Sequence, residues 1–278
     1  MSTPPADSRG DVALTGYVDL WWQAVNDFTA LLEKVPAEQW STRTDLPGWD
    51  VHAVAAHTAH LESLLAGGEH VDVEIGDVPH ARGMMGRFTE QGVVARRDAT
   101  PDDLINEIRA AATARHTALL ADPPTDPDAP APGVYGAIGW STLTLLRNRP
   151  LDLWMHEQDV RRAVGEPGGL GADAAVHSVD YLCESLGFVL AKRVGAEPGT
   201  TVVVEVEGHA PVAAVVSEDG RGRRLDEVPA EPTVGVRTDR ESFVLLAGGR
   251  RDPEPGRVEV FGDPDLATRV LDGFAVTP

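Results

Sequence analysis

Asp152 and His156 lie four residues apart in Arg149-Pro-Leu-Asp-Leu-Trp-Met-His-Glu-Gln-Asp159. That spacing stacks a carboxylate beside an imidazole on one helix face. Such a pair can share a metal ion with a group from a facing helix, as carboxylate and histidine sites inside bundles do. A candidate third group lies in Pro47-Gly-Trp-Asp-Val-His-Ala-Val-Ala-Ala-His57. At about 100° per residue, Val54, Leu61, Leu64 and Leu65 form one apolar stripe. His57 falls inside it, His60 at its margin and His52 on the opposite face, so one histidine of the three is expected to point into the bundle. By the same rotation His156 lies within about 40° of the stripe made by Leu153, Val160, Ala163 and Val164. Plainer alternatives stay open on spacing alone. His57 fits a core histidine satisfied by one hydrogen bond, and Asp152 with His156 fits an ordinary hydrogen-bonded pair. Phase alone does not exclude Glu157 as the carboxylate in place of Asp152.

Other chemistries are excluded more firmly. There is no G-x-S-x-G, no Walker A motif and no G-x-G-x-x-G. His156-Glu157 opens like H-E-x-x-H, but Val160 stands where the second histidine belongs. The one cysteine, Cys183, allows neither an intramolecular disulfide nor a multi-thiolate metal site. Lys+Arg total 24 against 44 Asp+Glu, a net charge of −20 over 278 residues. That balance argues against a nucleic-acid backbone or an anionic membrane as partner, since both need clustered basic residues. The opening Met1-Ser-Thr-Pro-Pro-Ala-Asp-Ser8 lacks the basic and apolar segments of a secretory leader. No stretch of about 18 apolar residues occurs, so the expected location is cytoplasmic.

The elements that must position these residues fall into two styles. From Asp11 to about Gly195 the apolar spacing is mostly helical. Val18, Trp21, Trp22, Val25, Phe28, Leu31 and Leu32 mark one face of a first helix. Trp49–Ala66 reads as a second, entered through the Pro47-Gly48 turn. Thr100 caps a third that starts at Pro101 and runs to about Ala121. The proline-rich segment from Asp122 to Pro132 reads as a surface loop. A fourth helix runs from about Gly139 to Gly165, interrupted or kinked by Pro150, and a fifth lies between Ala172 and Val194. After Gly199 the pattern turns to short β-branched runs at Thr200–Glu207, Val212–Ser217, Thr233–Arg237 and Val258–Phe261. Helices Asp239–Leu246 and Pro264–Leu271 are interleaved with them. The expectation is an α+β chain: a helical bundle over 1–170, then a linking helix and a small α+β domain over 171–278.

The Gly48-Trp49 to His57 segment resembles the signature of DinB-like bundles, and more narrowly that of the mycothiol-dependent maleylpyruvate isomerase family of actinobacteria. Leu151-Asp-Leu-Trp-Met-His-Glu-Gln-Asp-Val-Arg-Arg-Ala-Val-Gly165 is similar to that family's second signature. Phe243-Val-Leu-Leu-Ala-Gly-Gly-Arg250 and Val260-Phe-Gly-Asp-Pro-Asp-Leu266 look like its C-terminal domain, which is related in shape to sterol carrier proteins. The resemblance covers nearly the whole chain and implies a DinB-like four-helix bundle followed by a sterol-carrier-like domain. It implies a divalent metal, zinc in the best-known member, held here by His57, Asp152 and His156. Where the family's isomerase has glutamate, this sequence has Asp152. The resemblance also places an arginine that assists catalysis at Arg250.

Two imidazoles and one carboxylate would leave a zinc centre cationic, with an open fourth position. A thiol of pKa about 8.5 arriving there would bind as thiolate. In the family that thiol is mycothiol, used as cosubstrate. The function expected is therefore a mycothiol-dependent thiol transferase or isomerase acting on a small electrophile. The alternatives are a metal- or small-molecule-binding protein that kept the fold without turnover, and a purely structural bundle.

Overall fold

The computed structural model describes residues 13–277; the part of the sequence reading that falls on Met1–Asp11 lies outside them. The helical half comprises α1 (Leu14–Leu32), α2 (Val51–Leu65), α3 (Gly83–Val94), α4 (Pro101–Ala121), the short α5 (Gly133–Ala137) and α6 (Thr142–Val164). Four of these make the bundle. Helix α1 packs on α4 and α6, and α2 packs on α4 and α6. Helix α3 lies on the outer side of α2.

The starts and stops follow local chemistry. Asp50 caps α2 by accepting from the Ala53 N–H at 2.8 Å. Thr100 and Asp103 form a reciprocal capping box at the start of α4, with Pro101 in its first turn, a cap worth about 1 kcal/mol. Ser141 caps α6, and Gly165 ends it in the left-handed conformation at φ 72°, where a side chain would strain the backbone. Of the two outcomes expected at Pro150, interruption does not occur: α6 is continuous from Thr142 to Val164. A proline inside a helix costs about 3 kcal/mol. Leu146, Leu151, Leu153 and Trp154 are buried on either side of it, and their burial offsets that cost.

Helix α3 was not read from the sequence. Its residues, Gly-Met-Met-Gly-Arg-Phe-Thr-Glu-Gln-Gly-Val-Val94, include three glycines that blur any helical period. At Gly92 the missing side chain is what lets α3 approach α2, because a Cβ there would sit 2.1 Å from the His60 ring. The fifth expected helix is broken. Helix α7 (Asp173–Cys183) ends before a short α8 (Leu186–Phe188), and a π-type turn follows at Val189–Arg193.

The C-terminal half holds β1 (Thr201–Val206), β2 (Val212–Val216), β3 (Gly222–Leu225), β4 (Val234–Thr238), α9 (Arg240–Ala247), β5 (Val258–Gly262) and α10 (Pro264–Asp272). The sheet order is β3-β2-β1-β4-β5. Strands β1 and β4 are parallel, with Val204 opposite Val236, and the other pairs are antiparallel. Strand β3 also escaped the sequence pattern. Its Gly-Arg-Arg-Leu is charged, as edge strands tend to be, and only its pairing with β2 defines it. Asp239 and Asp263 cap α9 and α10.

The observed class is α+β, as expected. Most of the buried apolar residues nevertheless form one cluster running from Val18 in α1 to Phe274 beyond α10, and a small second cluster joins Ala131, Tyr135 and Leu145 around α5. Bundle and sheet therefore change architecture without a gap in the core. No helix among the described residues is long and apolar enough to cross a membrane.

Candidate metal centre

Helix α2 delivers His57 and α6 delivers Asp152 and His156. One ligand atom from each lies within 4.8 Å of the others, and no other such cluster of three occurs among the described residues. His57 Nε2 is 3.7 Å from Asp152 Oδ2, and His156 Nε2 is 3.7 Å from Asp152 Oδ1. Both separations are too long for hydrogen bonds. His57 is buried, and neither of its ring nitrogens has a hydrogen-bond partner. A buried imidazole with both nitrogens unpaired is costly, so the plainer reading of a satisfied core histidine does not describe it. Burial pushes its pKa down, which keeps the ring neutral and able to donate a lone pair. These residues fit a divalent ion by donor chemistry: two imidazoles and one carboxylate.

Asp152 is held as that anion. Burial alone would raise its pKa, but the Arg149 guanidinium and the two imidazoles outweigh this and hold it well below the usual carboxylate range. Arg149 Nη1 donates to Asp152 Oδ2 at 2.8 Å, and its Nη2 donates to Glu62 Oε1 at 2.6 Å. Glu62 also accepts from Trp21 Nε1 at 3.2 Å. Arg149 and Glu62 are completely buried, so a charged chain runs from the bundle interior to the candidate ligand.

His156 is backed separately. Its Nδ1 lies 3.2 Å from Asp159 Oδ2. Burial pushes Asp159 up, while His156 and Arg250 pull it well below the usual range. An ionised carboxylate can only accept, so Nδ1 carries the proton and Nε2 keeps its lone pair toward the cluster. Trp49 closes another side, with ring centroids 5.0 Å from His57 and 6.1 Å from His156. Its indole N–H donates to Glu90 Oε2 at 2.9 Å. Access is past Asp152, whose side chain is 24% exposed against 6% for His57 and 8% for His156.

The remaining candidates fall elsewhere. Glu157 accepts from Arg161 Nε at 2.7 Å and lines a groove of about 490 Å³ with Asp27 and Lys34; the structure does not bring it to the histidines. His52 lies near the carbonyl of Ala99, Nε2 to O 2.8 Å. His60 is buried rather than marginal, because α3 and the segment after α2 cover that side of the helix. Burial and nearby Arg96 and His70 push its pKa down to about 3. Arg250 does not reach into the cluster of three. It forks onto Asp159, with Nε to Oδ1 and Nη2 to Oδ2 both at 3.0 Å, and donates through Nη1 to Gly248 O and Thr277 Oγ1. Arg149 and Asp159 were not singled out as site residues from sequence. Each sits three positions from a candidate ligand, and that spacing was the available signal.

The profile of the mycothiol maleylpyruvate isomerase N-terminal domain matches residues 21–161, and that of the MDMPI C-terminal domain matches residues 173–269. No curated protein matches the chain. Among solved structures, a mycothiol-dependent maleylpyruvate isomerase is 18% identical, and a histidine-to-alanine mutant of such an isomerase is 16% identical. Both align over 90% of this chain and 93% of theirs at a TM-score of 0.56, a likeness of fold. Since the first profile alone spans half the sequence and the second follows it in order, the chain belongs to the mycothiol maleylpyruvate isomerase family of enzymes.

Proposed function

We propose that this protein is a mycothiol-dependent metalloenzyme, a thiol transferase or isomerase acting on a small electrophilic substrate, with His57, Asp152 and His156 holding one divalent ion, zinc by preference. The observation that carries the proposal is the buried His57 ring, unpaired at both nitrogens and facing an aspartate and a second histidine within 4.8 Å. When bound, the metal supplies a cationic centre that holds a thiol as its thiolate, the nucleophile for sulfur transfer or thiol-assisted isomerisation.

The chain's own residues do the rest. Asp152, anchored on Arg149, would hold the ion as its one carboxylate and neutralise part of its charge. Asp159 fixes the His156 tautomer. Trp49 walls off water beside both imidazoles. Cys183 takes no part: it is buried, and burial pushes its thiol up to about 12. The reacting thiol therefore comes from outside the protein. The units proposed remain 1–170 for the metal-holding bundle and 171–278 for the linking helix and C-terminal domain.

Elemental analysis of untagged protein purified without chelator is expected to give about one divalent ion per chain. His57→Ala and His156→Ala are each expected to lower metal affinity strongly, whereas His52→Ala leaves it unchanged. A cobalt-substituted sample is expected to develop a sulfur-to-metal charge-transfer band on adding mycothiol. Protein that neither contains nor takes up a divalent ion overturns the proposal. An unchanged cobalt spectrum at saturating thiol overturns its thiol chemistry.

A further inference from the structure

Asp159 is the place where the C-terminal half touches the candidate centre. It is buried in α6, yet two arginines hold it: Arg162 Nη2 from its own helix at 2.5 Å, and the fork of Arg250 from just beyond α9. Arg162 in turn binds Asp45 at 2.8 Å and Glu241 in the first turn of α9 at 3.1 Å. The seam is charge-balanced, since Asp45, Asp159 and Glu241 face Arg162, Arg250 and Arg251, the last also on Asp45. Every nitrogen of Arg250 has an acceptor, and its side chain is only 5% exposed. Such a guanidinium has little left to offer a substrate.

We infer that Arg250 is a positioning residue: its fork holds the Asp159 carboxylate in place, that carboxylate orients the His156 ring through Nδ1, and the C-terminal half thereby completes the proposed metal site of the bundle. The inference rests on the proposed metal site, but its chemistry belongs to the protein alone. A carboxylate behind a ligating histidine fixes the ring's tautomer and orientation and raises its basicity. Removing such a partner typically weakens metal affinity by about 10–100-fold. Arginine suits the task because its fork matches both carboxylate oxygens at once, which a lysine cannot do.

The test is a double-variant cycle on full-length protein, read by zinc competition against a chromogenic chelator. Arg250→Met is expected to raise the zinc Kd by about 10–100-fold, and Asp159→Asn to raise it by a similar factor. The double variant is expected to be no weaker than Asp159→Asn alone, because Arg250 acts through Asp159. Arg250→Lys should fall between wild type and Arg250→Met. Where Arg250→Met folds poorly, the double variant still decides, since it removes both charges and leaves neither buried alone.

A second measurement needs no metal. Long-range 1H–15N spectra of the apo-protein should place the His156 proton on Nδ1 in wild type and show a mixture of tautomers in Arg250→Met. Wild-type zinc affinity in Arg250→Met, with loss confined to turnover, overturns the inference in favour of a direct role at the substrate. Additive losses in the double variant overturn it too. Wild-type protein that takes no zinc overturns the proposed function, and the tautomer spectra then decide the role of Arg250 by themselves.

Discussion

Asp152 carries partners of two kinds, two imidazoles in front and a buried guanidinium behind. Removing its charge should therefore empty the site, whereas removing that of Glu157 should not. Asp152→Asn keeps the shape but loses the attraction to the cation, and metal stoichiometry is expected to drop well below one per chain. Glu157→Gln is expected to retain full stoichiometry, because that carboxylate pairs with Arg161 on another face of α6. Side-by-side metal analysis checks both, and the reverse pattern would make Glu157 the ligand. Helix phase and four-residue spacing put the three clustered residues on inward faces, and the family resemblance is what joined them into one candidate set. What spacing could not supply was the choice between the two carboxylates. Asp152 and Glu157 differ by five positions on one helix, and only the placement of α2 and Arg161 around them separates their environments.

At the scale of elements, legibility followed local signals. The capping box at Thr100 and the left-handed stop at Gly165 are written in adjacent residues, and both bounded their helices. Helix α3 has neither a side-chain cap nor a clean period, so the sequence does not show the cover that buries His60. The seam between α2 and α3 makes its own prediction. Gly92→Ala puts a methyl group where the His60 ring stands. Overpacking of this kind costs about 1–3 kcal/mol. A lowered denaturation midpoint with an unchanged m-value is the expected outcome. An unaltered midpoint would mean that α3 can move away from α2 at no cost.

For the whole molecule, burial keeps several imidazoles neutral, and this sets a pH dependence. His60 has a folded pKa of about 3, and that of His177 is also lowered by burial; both have unfolded values near 6.5. Below about pH 6.5 the unfolded chain takes up protons that the folded chain does not, so stability falls as the pH falls. For each such group the slope approaches about 1.4 kcal/mol per pH unit. The depressed carboxylates Asp152 and Asp159 act in the same direction, but only once the pH approaches the usual carboxylate range near 4. Urea titrations between pH 7.5 and 5 should therefore show declining stability in wild type and a shallower decline in His60→Gln. Equal slopes in the two proteins would show that His60 is protonated in the fold.

The link between Asp159 and Arg250 spans 91 residues of sequence, and that span has a consequence for biosynthesis. At about 5–20 residues per second on the ribosome, Asp159 waits on the order of ten seconds for its partner. During that interval the bundle has its candidate ligands in hand, but the carboxylate behind His156 is clamped from α6 alone. If the ion binds as proposed, its tight loading belongs to the finished polypeptide and not to the nascent one. On the proposed site, a half-made chain would compete weakly for divalent ions until Arg250, 28 residues from the end of the 278, had emerged.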